Sequence, residues 1–297
     1  MAKEKEIKAR IRSVSDTMQI TKAMKLVSAS TLKQARDQLE RTLPYFEKIK
    51  TTIADILSHD IYSDNIYFDK RKKKTKKRNA YIIMTGDKGL CGGYNNNIFR
   101  FAERYLRLDN DPLLLVCGHT GAEYFKKKGY DLDRDFFYPV FNPNVFRARE
   151  MQERVMEMFK DERVDNIVLI YTVLENSFTL TPHSMRLLPL TFGSLRRELG
   201  IERIMERRYS GDLIYEPSIR EVFEVLIPKY IKGVIYSALV EAFTSEQCAR
   251  MIAMESATTN AEKMIKRLNL IYNRTRQNMI TQEITEIIAG AQVLEQR

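Results

Sequence analysis

The chain has 297 residues, enough for two domains, and only 12 glycines and 8 prolines, which favours a helix-rich protein. Its three cysteines, Cys91, Cys117 and Cys248, lie far apart and form no C-x-x-C pair. This pattern argues against a disulfide framework and favours a reducing compartment. The amino terminus lacks the apolar core of a signal peptide, and no stretch approaches the roughly 18 apolar residues that would cross a membrane. The sequence therefore predicts no transmembrane segment.

The net charge of +10 comes mostly from one short segment. The run from Lys70 to Arg78 (KRKKKTKKR) carries eight positive charges, and without it the chain would carry +2. Such a run is typical of a solvated loop, with contact to phosphate or anionic lipid as the alternative. A nucleic-acid-binding coiled coil remains one candidate function. That function predicts aromatic side chains interleaved with the basic ones, and the run has none.

Residues 1–57 are predicted to form one long amphipathic helix, since no glycine or proline occurs before Pro44. Its apolar residues recur at spacings of three and four, which is typical of a narrow coiled-coil stripe. The stripe runs through Ile7, Ile11, Val14 and Met18, resumes in a new phase at Ile20, Met24 and Val27, and continues from Leu32 to Ile56. The change of phase after Met18 predicts a local change in the winding of the supercoil.

Residues 217–297 are predicted to form a second, longer helix, because no proline follows Pro228 and glycine occurs only twice. Its apolar stripe runs through Ala261, Met264, Leu268, Ile271 and Thr275, and after another shift through Ile280, Ile284, Ile287, Ala291 and Leu294. Small or polar residues interrupt both stripes, at Ser28 to Thr31 and at Ala253 to Asn260, where they permit close helix approach. Two such helices at opposite ends of a chain predict a long antiparallel two-helix coiled coil.

The middle of the chain, residues 79–195, is predicted to form a Rossmann-like α/β domain. Short apolar runs of buried-strand type alternate with helical patterns, which favours βαβ units with parallel pairing. The strands are expected at Ala80–Met84, Pro112–Cys117, Asn166–Tyr171 and Met185–Leu190, and the helices at Asn96–Leu108, Thr120–Lys128 and Asn144–Phe159. Residues 58–78 form a basic connector into this domain, and residues 196–216 connect it to the last helix. The predicted fold class is α/β, with the coiled coil added to the central domain.

The segment Gly86 to Gly93 lies where a dinucleotide fold would place its phosphate loop. Its glycine spacing fits neither the dinucleotide nor the P-loop pattern, so a tight turn with close backbone approach is the preferred interpretation. Cys91 would need a histidine base to act as a nucleophile, and His59, His119 and His183 show no such pattern. The sequence therefore predicts no catalytic residues, no metal and no cofactor. A dinucleotide-dependent enzyme built on the middle domain remains the second alternative.

Three blocks of residues, at the start, middle and end, resemble the gamma subunit of F-type ATP synthases. The blocks are Gln19 to Val27, Asp87 to Asn95, and Ser245 to Met254 together with Tyr272 to Gly290. The resemblance departs from the family at Thr31, where lysine is usual, and in the strongly basic run. It implies a rotor shaft that does no bond chemistry itself.

The resemblance also implies a set of partners. The coiled coil would turn inside a ring of three alpha and three beta subunits, and the central domain would contact the epsilon subunit and the membrane ring of c subunits. Ion flow would turn the c ring and the shaft, driving ATP synthesis, with hydrolysis as the reverse. The expected location is peripheral, on the cytoplasmic face of a bacterial plasma membrane rather than an organelle inner membrane.

Site residues follow from the resemblance, position by position. Contact with the beta subunit is implied for Met24, Lys25, Cys91, Arg250, Gln277, Thr281 and Glu283. An apolar bearing at the top of the ring is implied for Ile284, Ile287 and Leu294. No nucleic acid is expected among the partners.

Overall fold

The computed structural model describes residues 2–58, 66–68, 78–136, 138–176, 179–190, 216 and 218–295. The basic run therefore lies outside the described residues except for Arg78, as do nearly all of the connector 196–216 and the side chain of Leu294. The helices are α1 (Ala2–Ser58), α2 (Tyr94–Leu106), α3 (His119–Lys127), α4 (Val145–Lys160) and α5 (Ile219–Glu295). The strands are β1 (Asn79–Met84), β2 (Leu113–Cys117), β3 (Asn166–Leu174) and β4 (Leu180–Leu188).

The four described strands form one sheet in the order β2-β1-β3-β4. β1 pairs in parallel with both β2 and β3, and helices connect these strands along the chain: α2 between β1 and β2, and α3 and α4 between β2 and β3. β4 pairs antiparallel with β3, so the expectation of parallel pairing is wrong for this strand. The reason lies in the connection, since the few residues between Leu174 and Leu180 suffice for a hairpin but not for a crossover helix.

Both faces of the sheet are covered, which explains why β1 and β2 read as continuous apolar runs. On one face Tyr81 and Ile83 pack with residues of α2 and α3, including Phe99 and Phe125. On the other face Ile82 and Met84 belong to a larger core with residues of α4, of α1 and of α5. The mixed α/β fold with long terminal helices is thus confirmed.

The chain divides into two compact units, and both long helices contribute to each. The paired-helix unit comprises Met1–Ala29 and Arg250–Arg297. The α/β unit comprises Ser30–Ala249, and so includes the second half of α1 and the first part of α5. Each unit has its own internal packing and is described separately.

In the paired-helix unit, the buried stripe of α1 keeps one phase throughout. Its inward positions are Ile11, Val14, Met18, Thr21, Lys25 and Ser28, spaced by threes and fours without a break. The predicted shift to Ile20 and Val27 is wrong, because these side chains are 60% and 65% exposed while Thr21 and Ser28 are 8% and 2% exposed. Polar side chains therefore occupy the buried positions 21 and 28, and the apolar side chains of Ile20 and Val27 are exposed.

The stripe of α5 in the same unit also differs from the prediction. Met264 and Ile271 are 45% and 42% exposed, so they do not belong to the buried stripe. The half-buried positions are Ile265 and Tyr272, one residue further along. The inward stripe is Met254, Thr258, Ala261, Ile265, Leu268, Tyr272, Thr275 and Met279. This spacing of fours and threes continues to Met279, and every described side chain beyond it is exposed.

Candidate functional site

The residues after β1 form a tight turn, which we call the β1 turn (Thr85–Gly93). Leu90 has φ 63° and Gly92 has φ 58°, so the backbone twice enters the left-handed region that reverses chain direction. The Gly86 amide donates to Oδ1 of Asn95 at 2.8 Å, which ties the start of the turn to α2. The tight turn expected from the sequence is present.

The carboxylate of Asp87 joins the β1 turn to two other loops. One oxygen accepts from the His119 amide at 3.2 Å and the other from the Phe141 amide at 2.7 Å. His119 begins α3, so a protein carboxylate already occupies the helix terminus that would attract a phosphate. A second anion here would meet like charge. The Asp87 carboxylate therefore takes the place of a ligand anion at the N-terminus of α3.

The crevice at the carboxyl ends of the parallel strands is filled by α5 itself. The Tyr94 hydroxyl donates to the Ala242 carbonyl at 2.9 Å, and the Ser245 hydroxyl donates to the Thr172 carbonyl at 3.0 Å. The Leu174 amide donates to Oε1 of Glu241 at 2.9 Å. We call these three bonds the α5 lock. In α/β sheets of this kind ligands bind in that crevice, so here the protein's own helix takes the ligand's place.

Gly86 faces the same segment of α5. A Cβ at this position would lie 3.1 Å from both Asn95 Oδ1 and the carboxyl carbon of Glu246. The glycine therefore serves close approach between the β1 turn and α5 rather than a phosphate cradle. Sequence reasoning identified the close approach but not the element that makes it.

Cys91 is buried where the β1 turn packs against α5. Its side chain is buried with Tyr94, Ala249 and the partly buried Leu180. The thiol contacts the Lys88 carbonyl at 3.8 Å and accepts from the Asn95 amide group at 3.6 Å. Another protein would therefore contact the exposed neighbours of Cys91, chiefly Leu90, which is 63% exposed, and not Cys91 itself.

A second polar feature lies in the paired-helix unit, between α1 and α5. The hydroxyls of Thr21 and Thr258 are 2.8 Å apart and buried. Thr21 also lies 2.9 Å from the Met18 carbonyl, so a Thr258 hydroxyl that donates to Thr21 leaves the Thr21 hydrogen for that carbonyl. Both hydroxyls are then satisfied, as burial requires.

Ion pairs flank this threonine pair. Lys22 lies 3.1 Å from Glu262, and Lys25 pairs with Glu255. Towards the chain start, the Tyr272 hydroxyl donates to Glu4 at 2.9 Å. From Glu4 to Lys25 along α1, the residue numbers of the partners on α5 decrease from Tyr272 to Glu255, so the two segments run antiparallel. Exposed pairs of this kind contribute about 0–1 kcal/mol each, so they define register more than stability.

The residues predicted to contact a beta subunit are distributed over both units. Met24 and Lys25 are half-buried, with Lys25 already held by Glu255. Arg250 is buried. Gln277, Thr281 and Glu283 are exposed, as are Ile284 and Ile287 at 51% and 71%. The side chain of Leu294 lies outside the described part.

No three of the described His, Cys, Asp and Glu side chains are grouped as metal ligands would be. None of the described helices is long and apolar enough to span a membrane.

Comparisons with known proteins assign the family. A family model described as ATP synthase matches residues 3–294. The ATP synthase gamma chain of Ruminiclostridium cellulolyticum is 51% identical over 294 residues, with 98% of each chain covered. The sodium ion specific ATP synthase gamma chain of Acetobacterium woodii is 38% identical, with 97% of this chain and 98% of that one covered. The chain belongs to the ATP synthase gamma-chain family.

Solved structures agree on the fold of this gamma chain. A chain of the Euglena gracilis mitochondrial ATP synthase, in a structure of OSCP, F1 and c-ring, superposes with a TM-score of 0.65 at 15% identity. That match covers 99% of this chain and 95% of the other. A chain of the central stalk and c-ring of Tetrahymena thermophila ATP synthase gives 0.56 at 24% identity, covering 80% and 99%. The family assignment makes this chain a component of ATP synthase, as the sequence resemblance predicts.

Sequence reasoning missed the residues that join elements. The threonine pair and the α5 lock bring together positions far apart in the chain, such as Tyr94 with Ala242. One signal was available for the first of these, since Thr21 and Ser28 continue the spacing of Met18 more regularly than Ile20 and Val27 do. No comparable spacing marks Ser245 and Thr172.

Proposed function

We propose that this gamma chain is the non-catalytic rotor shaft of an F-type ATP synthase. In this proposal the helices of residues 1–57 and 217–297 form an antiparallel coiled coil within a ring of three alpha and three beta subunits. The domain at 79–195 contacts the epsilon subunit and the c ring, with 58–78 and 196–216 as connectors. The complex lies peripherally on the cytoplasmic face of the bacterial plasma membrane, and ion flow through the c ring turns the shaft.

One observation carries the proposal. Beyond Met279, α5 continues through Glu295, and its isoleucines at 280, 284, 287 and 288 are all at least 47% exposed. Tyr272 pairs with Glu4, and no described side chain of α5 beyond Met279 is buried against α1. A contiguous exposed apolar patch marks an interaction surface. An apolar collar formed by the ring subunits is the occupant that a shaft requires, with Leu294 continuing the same bearing.

The mechanism follows from asymmetry of the shaft. Two antiparallel helices are not three-fold symmetric, so three surrounding beta subunits meet different faces at any instant. On α1, Met24 and the exposed Ile20 and Val27 form an apolar face beside the ion pairs of Lys22 and Lys25. Rotation would present this face to each beta subunit in turn and change its catalytic site. The gamma chain supplies position, and the chemistry stays in the ring.

The remaining contact residues take their places in this proposal. Near Cys91, the exposed Leu90 and Lys88 would meet a beta subunit. Gln277, Thr281 and Glu283 present exposed hydrogen-bonding groups along α5 to the ring. Arg250 is buried within this chain, so its contribution to the ring contact would come from its exposed fraction or from positioning its neighbours.

Reconstitution tests the proposal. The purified chain should be combined with the other subunits of the complete membrane complex in lipid vesicles, and ATP-driven ion uptake should appear only when the chain is present. The isolated chain should bind no ATP in equilibrium dialysis at micromolar concentration. Ion uptake that needs no gamma chain, or tight ATP binding by the lone chain, would contradict the rotor role.

A further inference from the structure

The segment of α5 at the lock is enclosed on all sides. Every side chain from Ala242 to Ala249 is buried, and several are polar: Thr244, Ser245, Glu246 and Gln247. Buried polar side chains are retained at a free-energy cost unless they are bonded. Ser245 is fully buried and its hydroxyl has a defined partner, the Thr172 carbonyl.

When a helix is buried on all sides, different interactions keep it from rotating about its own axis. A half-exposed helix resists such rotation because its apolar stripe would enter water. Where all sides are buried, rotation moves no apolar side chain into water, so only directional hydrogen bonds and side-chain shape oppose it. The α5 lock supplies three directional bonds, from Glu241, Ala242 and Ser245 to the loops and strands around them. These positions span little more than one helical turn.

The partners of the lock lie in two elements, helix α2 and strand β3. Tyr94 starts α2, directly after the β1 turn, and Thr172 and Leu174 lie at the end of β3. The strands next to these partners, β1 and β3, are the two central strands of the sheet, and β1 is bonded to both β2 and β3. A twist applied to the sheet would therefore reach α5 through two separate points of attachment.

We propose that the α5 lock is the torque joint of this gamma chain, the place where rotation of the α/β unit is transferred to the long helix. This inference rests on the proposed rotor function. Apolar packing around α5 holds the helix in place, whereas the lock prevents it from slipping about its axis under load. Tyr94, Ser245 and Glu241 act as positioning residues, since none would touch nucleotide.

The test removes the bonds while keeping side-chain volume. The triple variant Tyr94→Phe, Ser245→Ala and Glu241→Met is compared with wild type and with a control carrying Tyr45→Phe, Thr51→Val and Glu224→Met. The control changes the same kinds of groups at exposed positions of the two long helices. Each protein is assembled with ring subunits alone and, separately, with the complete membrane complex in vesicles.

The expected result is a split between two readouts. Hydrolysis by the soluble ring complex, where the α/β unit carries no load, should match wild type. Ions pumped per ATP hydrolysed in vesicles should fall by about twofold or more in the triple variant and not in the control. Such a split would not follow from a purely structural role, which would alter both readouts together.

Other outcomes overturn the inference. Unchanged pumping in an assembled triple variant, or an equal loss in the soluble and membrane complexes, means that the lock is not a torque joint. If the triple variant does not fold, the single variant Tyr94→Phe, which keeps its ring packing, is judged by the same criteria. Failure of wild type itself to pump would reject the rotor function instead, so the two failures are distinguishable.

Discussion

At the scale of single residues, buried hydroxyls occupy positions where aliphatic side chains are usual. Thr21 and Thr258 meet inside the paired-helix unit, and Ser28 continues the same stripe. A hydroxyl pair buries less apolar area than two leucines would, so this layer contributes less hydrophobic stabilisation. It instead fixes the register of α1 against α5, because only one alignment brings the two hydroxyls together.

Breaking one half of the threonine pair should cost more than breaking both. Thr21→Val leaves the Thr258 hydroxyl buried without its partner, a penalty of about 1–3 kcal/mol, whereas the double valine variant has two apolar side chains of similar shape. Hydrogen exchange of amides in residues 18–28 measures the opening free energy of the four proteins in the cycle. Additive effects of the two substitutions would contradict the pairing.

Glu103 is a second residue whose partners determine its behaviour. The Tyr124 hydroxyl donates to it at 2.7 Å, and Arg107 lies 3.1 Å from its other oxygen. The Tyr124 bond is the main cause that lowers the pKa of Glu103 below its ordinary value, with Lys128 and Arg107 adding to it against the opposing effect of burial. A lowered pKa in the folded state stabilises the fold above that ordinary value, and the contribution is lost as the pH falls through the folded pKa.

Tyr124→Phe should therefore destabilise the α/β unit in a pH-dependent way. At pH 7 the loss should be about 2 kcal/mol, because the bond is to a charged acceptor. It should shrink below pH 4.5, where the carboxyl group is protonated in the unfolded chain. Calorimetric unfolding at several pH values measures this, and Tyr105→Phe, which breaks a neutral bond to Ser184, is the matched control. An equal pH dependence in both variants would reject the assignment.

At the scale of elements, α1 and α5 pack closely against each other in the α/β unit at Gly233. A Cβ on Gly233 would collide with the ring of Phe46, which is itself buried and lies 5.9 Å from the ring of Tyr236. Glycine weakens a helix interior by about 1 kcal/mol relative to alanine. The close packing of the two helices at this level therefore outweighs helix propensity.

Gly233→Ala should lower stability although it improves helix propensity. We expect a loss of about 1–3 kcal/mol, the usual result of overpacking a filled core. The second-site change Phe46→Leu should recover part of it by making room for the methyl group. Urea unfolding of the two single variants and the double variant measures the interaction. A stabilising Gly233→Ala would show that the helices can separate at this level without loss.

At the scale of the whole molecule, the two long helices differ in length. α1 has 57 residues and α5 has 77. Because α5 also begins within the α/β unit, the excess appears at its carboxyl end, beyond Met279. None of the described side chains there is buried, so the isoleucines contribute little to the stability of the free chain.

Ending the chain after Met279 should leave both units folded and reduce self-association. The calorimetric transition should stay within about 1 °C of that of the full chain, since no described side chain of residues 280–289 is buried. Light scattering should show less aggregation, because the apolar patch is removed. Replacing Ile284 and Ile287 with glutamine in the full chain is the control for length. A large loss of the α/β transition would show that the overhang belongs to an internal core.

The sequence by itself determined the elements of this gamma chain. Long stretches without glycine or proline predicted both helices, because backbone entropy and hydrogen bonding make those residues the usual helix breakers. Apolar runs bounded by polar residues predicted β1, β2 and β3 within a few residues of their observed bounds. The three blocks of family resemblance predicted the family that the comparisons assign.

Only the tertiary structure decided how these elements meet. Periodicity could place Ile20 or Thr21 in the buried stripe, and the choice fell to Thr21 because Thr258 on the opposite helix accepts or donates the matching bond. Likewise the antiparallel direction of β4 and the entry of Ser245 into the sheet crevice depend on partners distant in sequence. The pattern of apolar and polar residues in one segment shows which of its side chains favour the core and which favour water. Which contact a buried side chain makes also depends on the shape and polarity of the segment that packs against it.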